Sequence, residues 1–590
     1  MIDPHDPADV VQLSESMSYW YQEHARYRVK RREMILHHAG SEGAANSLGI
    51  NNTKPMYVNL QQMSAIAHMV ALAYGEPRWQ AVARVPAAEH LEESAVAFLD
   101  RYSELVNLGD IARQLAMDSF FGYAIAAVGR GFLTPAARMA TGMNVGPMCW
   151  RISQSNFMFD GDASQWDQTA WQAHFCFFPL KQIKTFQPFL DYNQEGVENL
   201  EEYTYNTDSA DSGKIHASGG RRSAMKMTRL VRVFLPFSNL ETFWPANQSV
   251  FAGITGEPLF QTPFKGHHSG LYSVMNLLDI PDQLIPVTQS EGTLKLHTLF
   301  NELADITARQ AVEAKFNPTY EIGSHRDAKR LETATDRKAV GLSSLNKVGS
   351  YEVPGPTQSQ TAYMGSIYGL FKEASLNLDD VLGTGPTAKT VGQSQLIRQA
   401  TGNVQAEKKR RMTRLLTNIG QKLLHLAMND DDLYLPIRGT LGNTDLPIDL
   451  SWLPYSQSPR TRNADDLKLD LIPGSLEYRD PAMRLQQFNA AVKEILGAVS
   501  AALQGAPIDI PQFIELQAKY NDLPELRRVF AGVLQEYKQK KENAEISQQQ
   551  REGVGEYVRH NVSEQSNQGA LEQNLTQFSD GPSEGGMRVG

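Results

Sequence analysis

Residues 381–428 read VLGTGPTAKTVGQSQLIRQATGNVQAEKKRRMTRLLTNIGQKLLHLAM, and the fold assignment depends on this stretch. Its first part, Gly383–Thr390, fits the phosphate-binding loop pattern G-x-x-x-x-G-K-S/T except at Ala388, which replaces the second glycine. The rest of the stretch is long enough for a helix of roughly 60 Å. The two interpretations lead to different proteins, because a phosphate-binding loop indicates a nucleotide-driven motor and a long helix indicates a structural element.

Local chemistry argues against the phosphate-binding loop. The second glycine lets backbone N–H groups turn toward the phosphates, and the Cβ of Ala388 resists that geometry. Such a loop follows a buried strand, but Ser375–Leu382 is too polar for one. Gly383 and Gly385 therefore break the chain, and Pro386 begins a helix in its first turn.

The helix predicted over 387–428 has two unlike halves. Its first half is polar, and its whole length holds eight Lys or Arg residues against one acidic residue, Glu407. Lys408–Arg411 can be an ordinary solvated face, and Gly392 and Gly402 are weak points in the helix. The second half carries apolar residues at the spacing of one helix face, namely Met412, Leu415, Leu416, Ile419, Leu423 and Leu426.

Composition limits the function classes. The net charge of −10 in 590 residues argues against general nucleic-acid binding, yet it permits a conduit with local basic bands. No run approaches ~18 apolar residues, so we expect no transmembrane helix, and the acidic N-terminus lacks a signal-peptide pattern. Cys149 and Cys176 are the only cysteines and are expected to be reduced buried thiols.

No catalytic or metal-binding constellation stands out. The adjacent pairs His37-His38 and His267-His268 would point to opposite faces on a strand, so neither predicts a metal site. We find no Ser-His-Asp or paired-carboxylate context. The sequence therefore predicts a protein without enzymatic activity, cofactor or metal.

Periodicity predicts an α+β body in the first 280 residues. The predicted helices cover 10–37, 59–74, 88–107 and 110–121, the predicted strands cover 122–128, 149–152, 156–159, 171–178 and 229–235, and 192–223 is predicted to be an exposed loop.

The pattern changes after Pro281. A capping box at Thr288–Glu291 begins a helix that runs to Lys315, where Asn317-Pro318 should stop it. Strand-like pieces follow at 319–322 and 348–353. Pro354-Gly-Pro356 breaks the chain, and a second helix covers 357–376. A small module thus lies at the tip of two helices.

This order of elements resembles the stem, clip, stem, tunnel loop and wing helix of bacteriophage portal (head-to-tail connector) proteins, and most closely those of short-tailed phages. Three segments carry the resemblance: Ser155–Asp160 ahead of Trp171, Ala304–Ala311 leading to Asn317-Pro318, and Thr384-Gly385 with Thr390–Gln393 and Ile397-Arg398. The last segment resembles the family's T-A-x-E sequence, with Val391 and Gln393 as departures.

The resemblance implies an α+β portal architecture of wing, stem, clip and crown with long helices, assembling into a closed ring. The implied segments are an N-terminal wing (1–280), stem helix 1 (281–316), clip (317–355), stem helix 2 (356–382), a hinge or tunnel loop (383–393), a wing helix with strands (394–475), a helical crown with helices at 482–503 and 511–539 (476–542), and a disordered polar tail (543–590).

The resemblance also implies a function. A portal protein forms the DNA channel at one capsid vertex, usually as a 12-mer, for genome packaging, head–tail joining and DNA ejection. Its implied partners are other copies of itself, double-stranded DNA, the terminase large subunit, the major capsid or scaffold protein and tail adaptor proteins. It is assembled in the host bacterial cytoplasm and ends in the virion.

Two groups of site residues follow from the resemblance. Thr384, Lys389, Thr390 and Gln393 are expected to line the channel at the tunnel loop. Arg326, Lys329 and Arg330, here called the clip face, are expected to dock partner proteins. The alternatives are a P-loop ATPase of the packaging motor, or another phage head or tail structural protein.

Overall fold

The computed structural model has mixed helix and sheet, as the predicted α+β class requires. It describes residues 2–39, 58–200, 204–205, 227–246, 253–320, 325–332, 348–353, 355–375, 391–430, 433, 435–440, 447–452, 464–472, 475–476, 488–497 and a few positions in 513–530.

The α-helices in these ranges are α1 (Pro7–Glu23), α2 (Ala25–Ala39), α3 (Leu60–Ala73), α4 (Glu92–Leu105), α5 (Leu108–Phe120), α6 (Pro135–Thr141), α7 (Leu180–Ile183), α8 (Gln187–Glu198), α9 (Gln289–Glu313), α10 (His325–Glu332), α11 (Gln358–Ala374) and α12 (Val391–Met428).

The strands are β1 (Trp79–Ala83), β2 (Ala124–Phe132), β3 (Val145–Arg151), β4 (Phe157–Phe159), β5 (Gln172–Pro179), β6 (Thr204–Tyr205), β7 (Met227–Leu235), β8 (Leu240–Pro245), β9 (Phe260–Pro263), β10 (Tyr272–Met275), β11 (Lys315–Tyr320), β12 (Val348–Val353), β13 (Leu435–Thr440), β14 (Pro447–Trp452) and β15 (Leu467–Leu471).

Antiparallel sheets form the β part of the body. The largest has the order β4-β5-β7-β8-β9, with β6 also pairing with β7. A three-stranded sheet has the order β10-β2-β3, and β1 pairs with β15. The last pairing joins Trp79 to Leu471, so residues from the two ends of the chain build one sheet.

Two compact units divide the chain. One comprises Met1–Ile437 and Leu450–Tyr478, and the other comprises Arg438–Asp449 and Arg479–Gly590. In the second unit, residues 488–497 are helical, in agreement with the helix predicted over 482–503. A small apolar cluster there consists of Ala491, Ile495, Ile514, Leu526 and Phe530.

The second half of α12 lies in the core of the first unit. All six residues of the predicted apolar stripe are buried, which confirms that interpretation. They pack with side chains of α4, α5, β2 and β15 in one cluster. The helix is unbroken from Val391 through Gly402 to Met428, so the two glycines do not interrupt it.

Three predicted boundaries were wrong. The helix predicted over 10–37 is two helices, because α1 ends at Glu23 and the backbone of His24 leaves helical geometry. The His24 ring Nδ1 lies 2.8 Å from the Trp20 carbonyl oxygen. The helix predicted over 88–107 begins as a 3-10 turn and becomes α4 only at Glu92. Part of the predicted loop 192–223 is helical, since α8 runs to Glu198.

The predicted stop at Asn317-Pro318 was also wrong. Helix α9 ends at Glu313, and the backbone of Ala314 leaves helical geometry. Asn317 and Pro318 lie inside β11, opposite Tyr351 and Ser350 of β12. Each strand of a two-stranded sheet has an open edge, so the missing N–H of a proline is tolerated there.

Candidate docking and channel elements

Helices α9 and α11 pack against each other as an antiparallel pair. The rings of Phe300 and Tyr368 have centroids 5.9 Å apart. Near the far end of the pair, a Cβ placed on Gly355 would lie 3.5 Å from the Cβ of Ala314. The residue number rises along α9 and falls along α11 from one contact to the next, so the two helices are antiparallel and reach a common end.

The inner half of α9 is anchored in the body by polar contacts. The Thr288 side chain caps the helix by accepting from the Glu291 N–H at 3.0 Å. Gln61 donates its side-chain amide to the Ser290 carbonyl oxygen at 3.0 Å. Asn301 exchanges hydrogen bonds with the backbone of residue 58, accepting its N–H at 2.7 Å. The start of the predicted stem helix is therefore capped by its own Thr288 and held by one neighbouring segment, residues 58–61.

The outer halves of the pair leave the body. Beyond Asp305 no α9 side chain is buried, and none is buried in α11 before Ile367. Several large apolar side chains are consequently uncovered within one chain, and Val312 is 81% exposed. The others are Ile306, Tyr363 and Leu370. Large apolar side chains that the single chain leaves exposed are candidate contact positions.

A small module joins the outer ends of α9 and α11. Strands β11 and β12 pair from Lys315 opposite Val353 to Tyr320 opposite Val348. Helix α10 lies between them in sequence and contacts β11. All three residues of the clip face belong to this helix and are exposed. They occupy positions i, i+3 and i+4, which lie on one side of a helix. The clip face is thus a single basic surface at the tip.

The predicted channel residues are only partly covered by the structure. Thr384, Lys389 and Thr390 lie outside the described residues. Gln393 lies in the first turn of α12, where the backbone alone is described.

The basic run in α12 is not a uniform solvated face. Arg410 is exposed, as that interpretation requires. Lys408 is buried and donates to the side-chain oxygen of Gln289 at 2.6 Å, and burial lowers the pKa of its ammonium group to about 8. Arg411 donates to Asp279 at 2.7 Å and to Glu407 at 3.2 Å. Two members of the run therefore attach α12 to the body.

A buried ion network was missed by the sequence analysis. Asp118 of α5 accepts two hydrogen bonds from the Arg151 guanidinium, at 2.5 and 2.7 Å, and lies 3.4 Å from Arg31 of α2. The hydrogen bonds to Asp118 raise the pKa of Arg151. The network joins α2, α5 and β3, which no local sequence pattern reveals.

Both cysteines are free thiols, as predicted, but only Cys149 is fully buried and Cys176 is half-buried. Cys176 Sγ lies 3.1 Å from His174 Nε2, a pair that could suggest a nucleophile and its base. Burial instead raises the pKa of both thiols, Cys149 and Cys176, to about 12. Burial also keeps the pKa of His174 well below its usual value. The environment opposes thiolate formation, so this pair is not an activated nucleophile.

The two histidine pairs do not lie on strands, so the strand geometry considered for them in the sequence does not apply. His37 and His38 belong to α2. His267 and His268 lie in the loop between β9 and β10 with ring centroids only 4.0 Å apart. Both contact the carboxylate of Asp465.

Compared with protein families and with curated proteins, the chain matches none of them. No helix in the described part of the chain combines the length and apolar character needed to cross a bilayer.

Proposed function

We propose that this chain is a portal protein, the ring-forming subunit of the DNA channel at one vertex of a phage capsid. One observation carries the proposal. Two antiparallel helices leave an α+β body and hold a two-stranded sheet with a short basic helix at their outer end. This matches the stem and clip that the sequence resemblance implied.

Ring formation accounts for the exposed apolar residues of the stem. Val312 and Tyr363 are large, mainly apolar side chains that the single chain leaves exposed. In a closed ring of head-to-tail copies, each stem meets its neighbour and such side chains are covered. We expect twelve copies, the number that portal proteins usually adopt.

The channel is assigned to the segment that precedes α12. Thr384, Lys389, Thr390 and Gln393 line its narrowest part in this proposal, and Lys389 lies close to DNA phosphates. The second half of α12 is buried and holds the helix in the body. In this proposal it gives rigid support to the channel segment that precedes the helix. Double-stranded DNA passes through during packaging and ejection.

The clip face is the proposed docking surface. It binds the terminase large subunit during packaging and tail adaptor proteins afterwards, while the body contacts capsid or scaffold protein. Its charge favours acidic partner surfaces, because complementary charge accelerates association and fixes orientation. No catalytic residue or cofactor is assigned, and the mature location is the virion.

Native mass spectrometry and negative-stain microscopy of the purified chain test the proposal. We expect a large ring with an axial opening whose size does not change on addition of ATP. Replacing both Val312 and Tyr363 with Glu should shift the protein to monomers. The matched control is Met139→Glu, which makes the same chemical change at an 88% exposed residue of α6 and should preserve rings.

Two results would contradict the proposal. A chain that stays monomeric at micromolar concentration with and without scaffold protein is not a portal subunit. A small assembly that binds ATP and loses that binding on Lys389→Ala is the packaging ATPase instead.

A further inference from the structure

Three segments of the first unit that are distant in sequence meet around a pair of histidines. The loop 264–271 between β9 and β10 supplies His267 and His268. A 3-10 turn, Ala464–Asp466, supplies Asp465. The last turns of α12 supply His425, whose ring centroid lies 5.6 Å from that of His267. These residues have no place in the channel or the clip.

The loop is shaped so that both rings face the same carboxylate. Gly270 has a positive φ of 80° and donates its N–H to the His267 carbonyl oxygen at 3.0 Å, which closes a turn. His267 Nε2 then lies 2.8 Å from Asp465 Oδ1, and His268 Nδ1 lies 3.2 Å from Asp465 Oδ2. One ligand atom from each of the three residues can be chosen so that all lie within 4.8 Å of one another.

That spacing suits a tetrahedral metal ion. With metal–nitrogen and metal–oxygen distances of about 2.0–2.2 Å, two ligands at the tetrahedral angle lie roughly 3.3–3.5 Å apart. The two contacts already present, 2.8 and 3.2 Å, are slightly shorter than that value, and no pair of the three ligand atoms is more than 4.8 Å apart, so small side-chain rotations would complete the geometry. Two imidazoles and a carboxylate form a ligand set that favours Zn²⁺ over Mg²⁺ or Ca²⁺, which prefer all-oxygen sites.

The surroundings of His267 support a ligand role for its Nε2. Its Nδ1 lies 2.9 Å from Ser269 Oγ, and that hydroxyl donates to Asn418 Oδ1 at 3.1 Å. In the tautomer with hydrogen on Nδ1, the imidazole donates to Ser269 and leaves the Nε2 lone pair free for a metal. In the other tautomer, Nδ1 accepts a hydrogen bond from the Ser269 N–H, 3.2 Å away. Outer hydrogen bonds of this kind orient metal-binding histidines.

His425 adds a further nitrogen beside the set. Its Nδ1 is buried and has no hydrogen-bond partner among the described residues. A buried nitrogen in that condition costs free energy unless it finds a partner. A metal ion bound by His267, His268 and Asp465 would have a fourth position, and rotation of the His425 ring is one way to fill it.

We propose that His267, His268 and Asp465 form a structural zinc site, with His425 or water as the fourth ligand. The ion would cross-link the loop before β10 to the turn before β15 and, with His425 as the fourth ligand, to the end of α12. In that case it would stabilise the attachment of α12 to the body. The proposal does not depend on the portal function, because it concerns only the folding of the first unit.

Zinc binding by the untagged full-length protein tests the site. After treatment with EDTA and desalting, isothermal titration with Zn²⁺ and elemental analysis should give one tightly bound ion per chain. The thermal unfolding midpoint should rise with Zn²⁺, and excess Mg²⁺ should neither reproduce nor compete with this rise. Co²⁺ in place of Zn²⁺ should give the visible absorption of a tetrahedral complex.

Three variants separate the proposed site from general surface binding. His268→Ala and Asp465→Asn should weaken the tight binding by roughly 100-fold or more, because loss of an outer partner alone costs about 10–100-fold. His268 is 73% exposed on its side chain, so its replacement should leave the fold intact. The control His5→Ala removes an exposed histidine from the N-terminus and should bind as wild type.

The proposal fails if wild-type protein binds no zinc tightly, or if His268→Ala and Asp465→Asn retain wild-type affinity and stoichiometry. It also fails if binding is tight but His5→Ala weakens it equally, since that result indicates scattered histidines. Ring formation in the absence of zinc leaves the portal proposal intact, so the two proposals can fail separately.

Discussion

Lys422 is a buried lysine whose titration should be measurable as a change in stability. Its side chain lies on the buried half of α12 and is 1% exposed. The ammonium group donates to the Tyr272 carbonyl oxygen at 2.7 Å and to Ser273 Oγ at 2.8 Å. No carboxylate among the described residues forms an ion pair with it. Burial accordingly lowers its pKa from 10.5 to about 7.

The direction of the pH effect follows from this depressed pKa. Between pH 7 and pH 10.5 the unfolded chain, with an ordinary lysine, binds more protons than the folded chain. The free energy of unfolding contributed by Lys422 therefore rises with pH across that window and is lost as the pH falls toward 7. From pH 7 to pH 9 the expected rise is about 2 kcal/mol.

The assay compares wild type with Lys422→Met by calorimetric unfolding at pH 7, 8 and 9. Methionine keeps most of the side-chain volume and removes the titrating group. For a cooperative unit of this size, about 2 kcal/mol corresponds to a shift of about 2 °C in the unfolding midpoint. The difference between the two proteins should grow in favour of wild type as the pH rises.

Other titrating groups also make stability depend on pH, and the comparison of wild type with Lys422→Met separates their contribution from that of Lys422. Burial raises the pKa of Cys149 and Cys176 to about 12, so their unfolded forms lose protons first and stability falls as the pH rises. The contribution of Cys176 is shared by both proteins and cancels in the difference. The contribution of Cys149 cancels only in part, because the Lys422 charge lowers the pKa of that thiol. Lys468→Met, at an exposed lysine of β15, is the matched control and should parallel wild type. A Lys422→Met protein that also parallels wild type from pH 7 to 9 would refute the reasoning.

Three further predictions concern the channel, the clip and the core. Lys389→Ala should reduce DNA packaging or retention in a reconstituted head while rings form normally; normal packaging would remove this lysine from the channel. Reversing all three charges of the clip face should weaken terminase and adaptor binding at least tenfold in a pull-down titration and spare the ring, whereas wild-type affinity for both partners would place docking elsewhere. Asp118→Asn should lower the unfolding free energy by roughly 3 kcal/mol, because it leaves buried arginine charge uncompensated. The control Asp110→Asn, at an exposed ion pair of the same helix, should lower it by under about 1 kcal/mol. Equal losses would contradict the buried-network account.

Patterns that depend on neighbours in sequence were predicted well. The apolar stripe of α12 has the period of one helix face, and burial of that face requires no knowledge of its partner. The Thr288 cap and the strand Val348–Val353 are likewise local features, and both are present. Local sequence also located the two helices on either side of the segment proposed as the clip.

Features that depend on distant contacts were missed or misplaced. Asp465 lies 198 residues from His267, so spacing alone could not join them. Lys408 and Arg411 looked like solvated charges because Gln289 and Asp279 are far away in sequence. Asn317-Pro318 looked like a helix stop because the pairing of β11 with β12 was not visible. In each case the decisive partner comes from another part of the chain.

The buried half of α12 is attached to the body by contacts of several chemical kinds. Its apolar face packs in the largest core cluster, and Lys422 binds the backbone of β10. At Gly420 a Cβ would lie 2.4 Å from the Trp79 ring, so glycine permits a close approach of the helix to β1. The ring nitrogen of Trp79 in turn donates to Ser103 of α4 at 3.0 Å.

This concentration of contacts lies in the C-terminal half of α12. In a portal ring, DNA moving through the channel would exert force on the residues just before α12. An unbroken helix transmits such force along its axis, and the buried half distributes it among β1, β2, β10 and the surrounding helices. Packing, the buried lysine and the proposed zinc site would then serve one purpose, which is to hold the base of the helix fixed while its other end contacts a moving polymer.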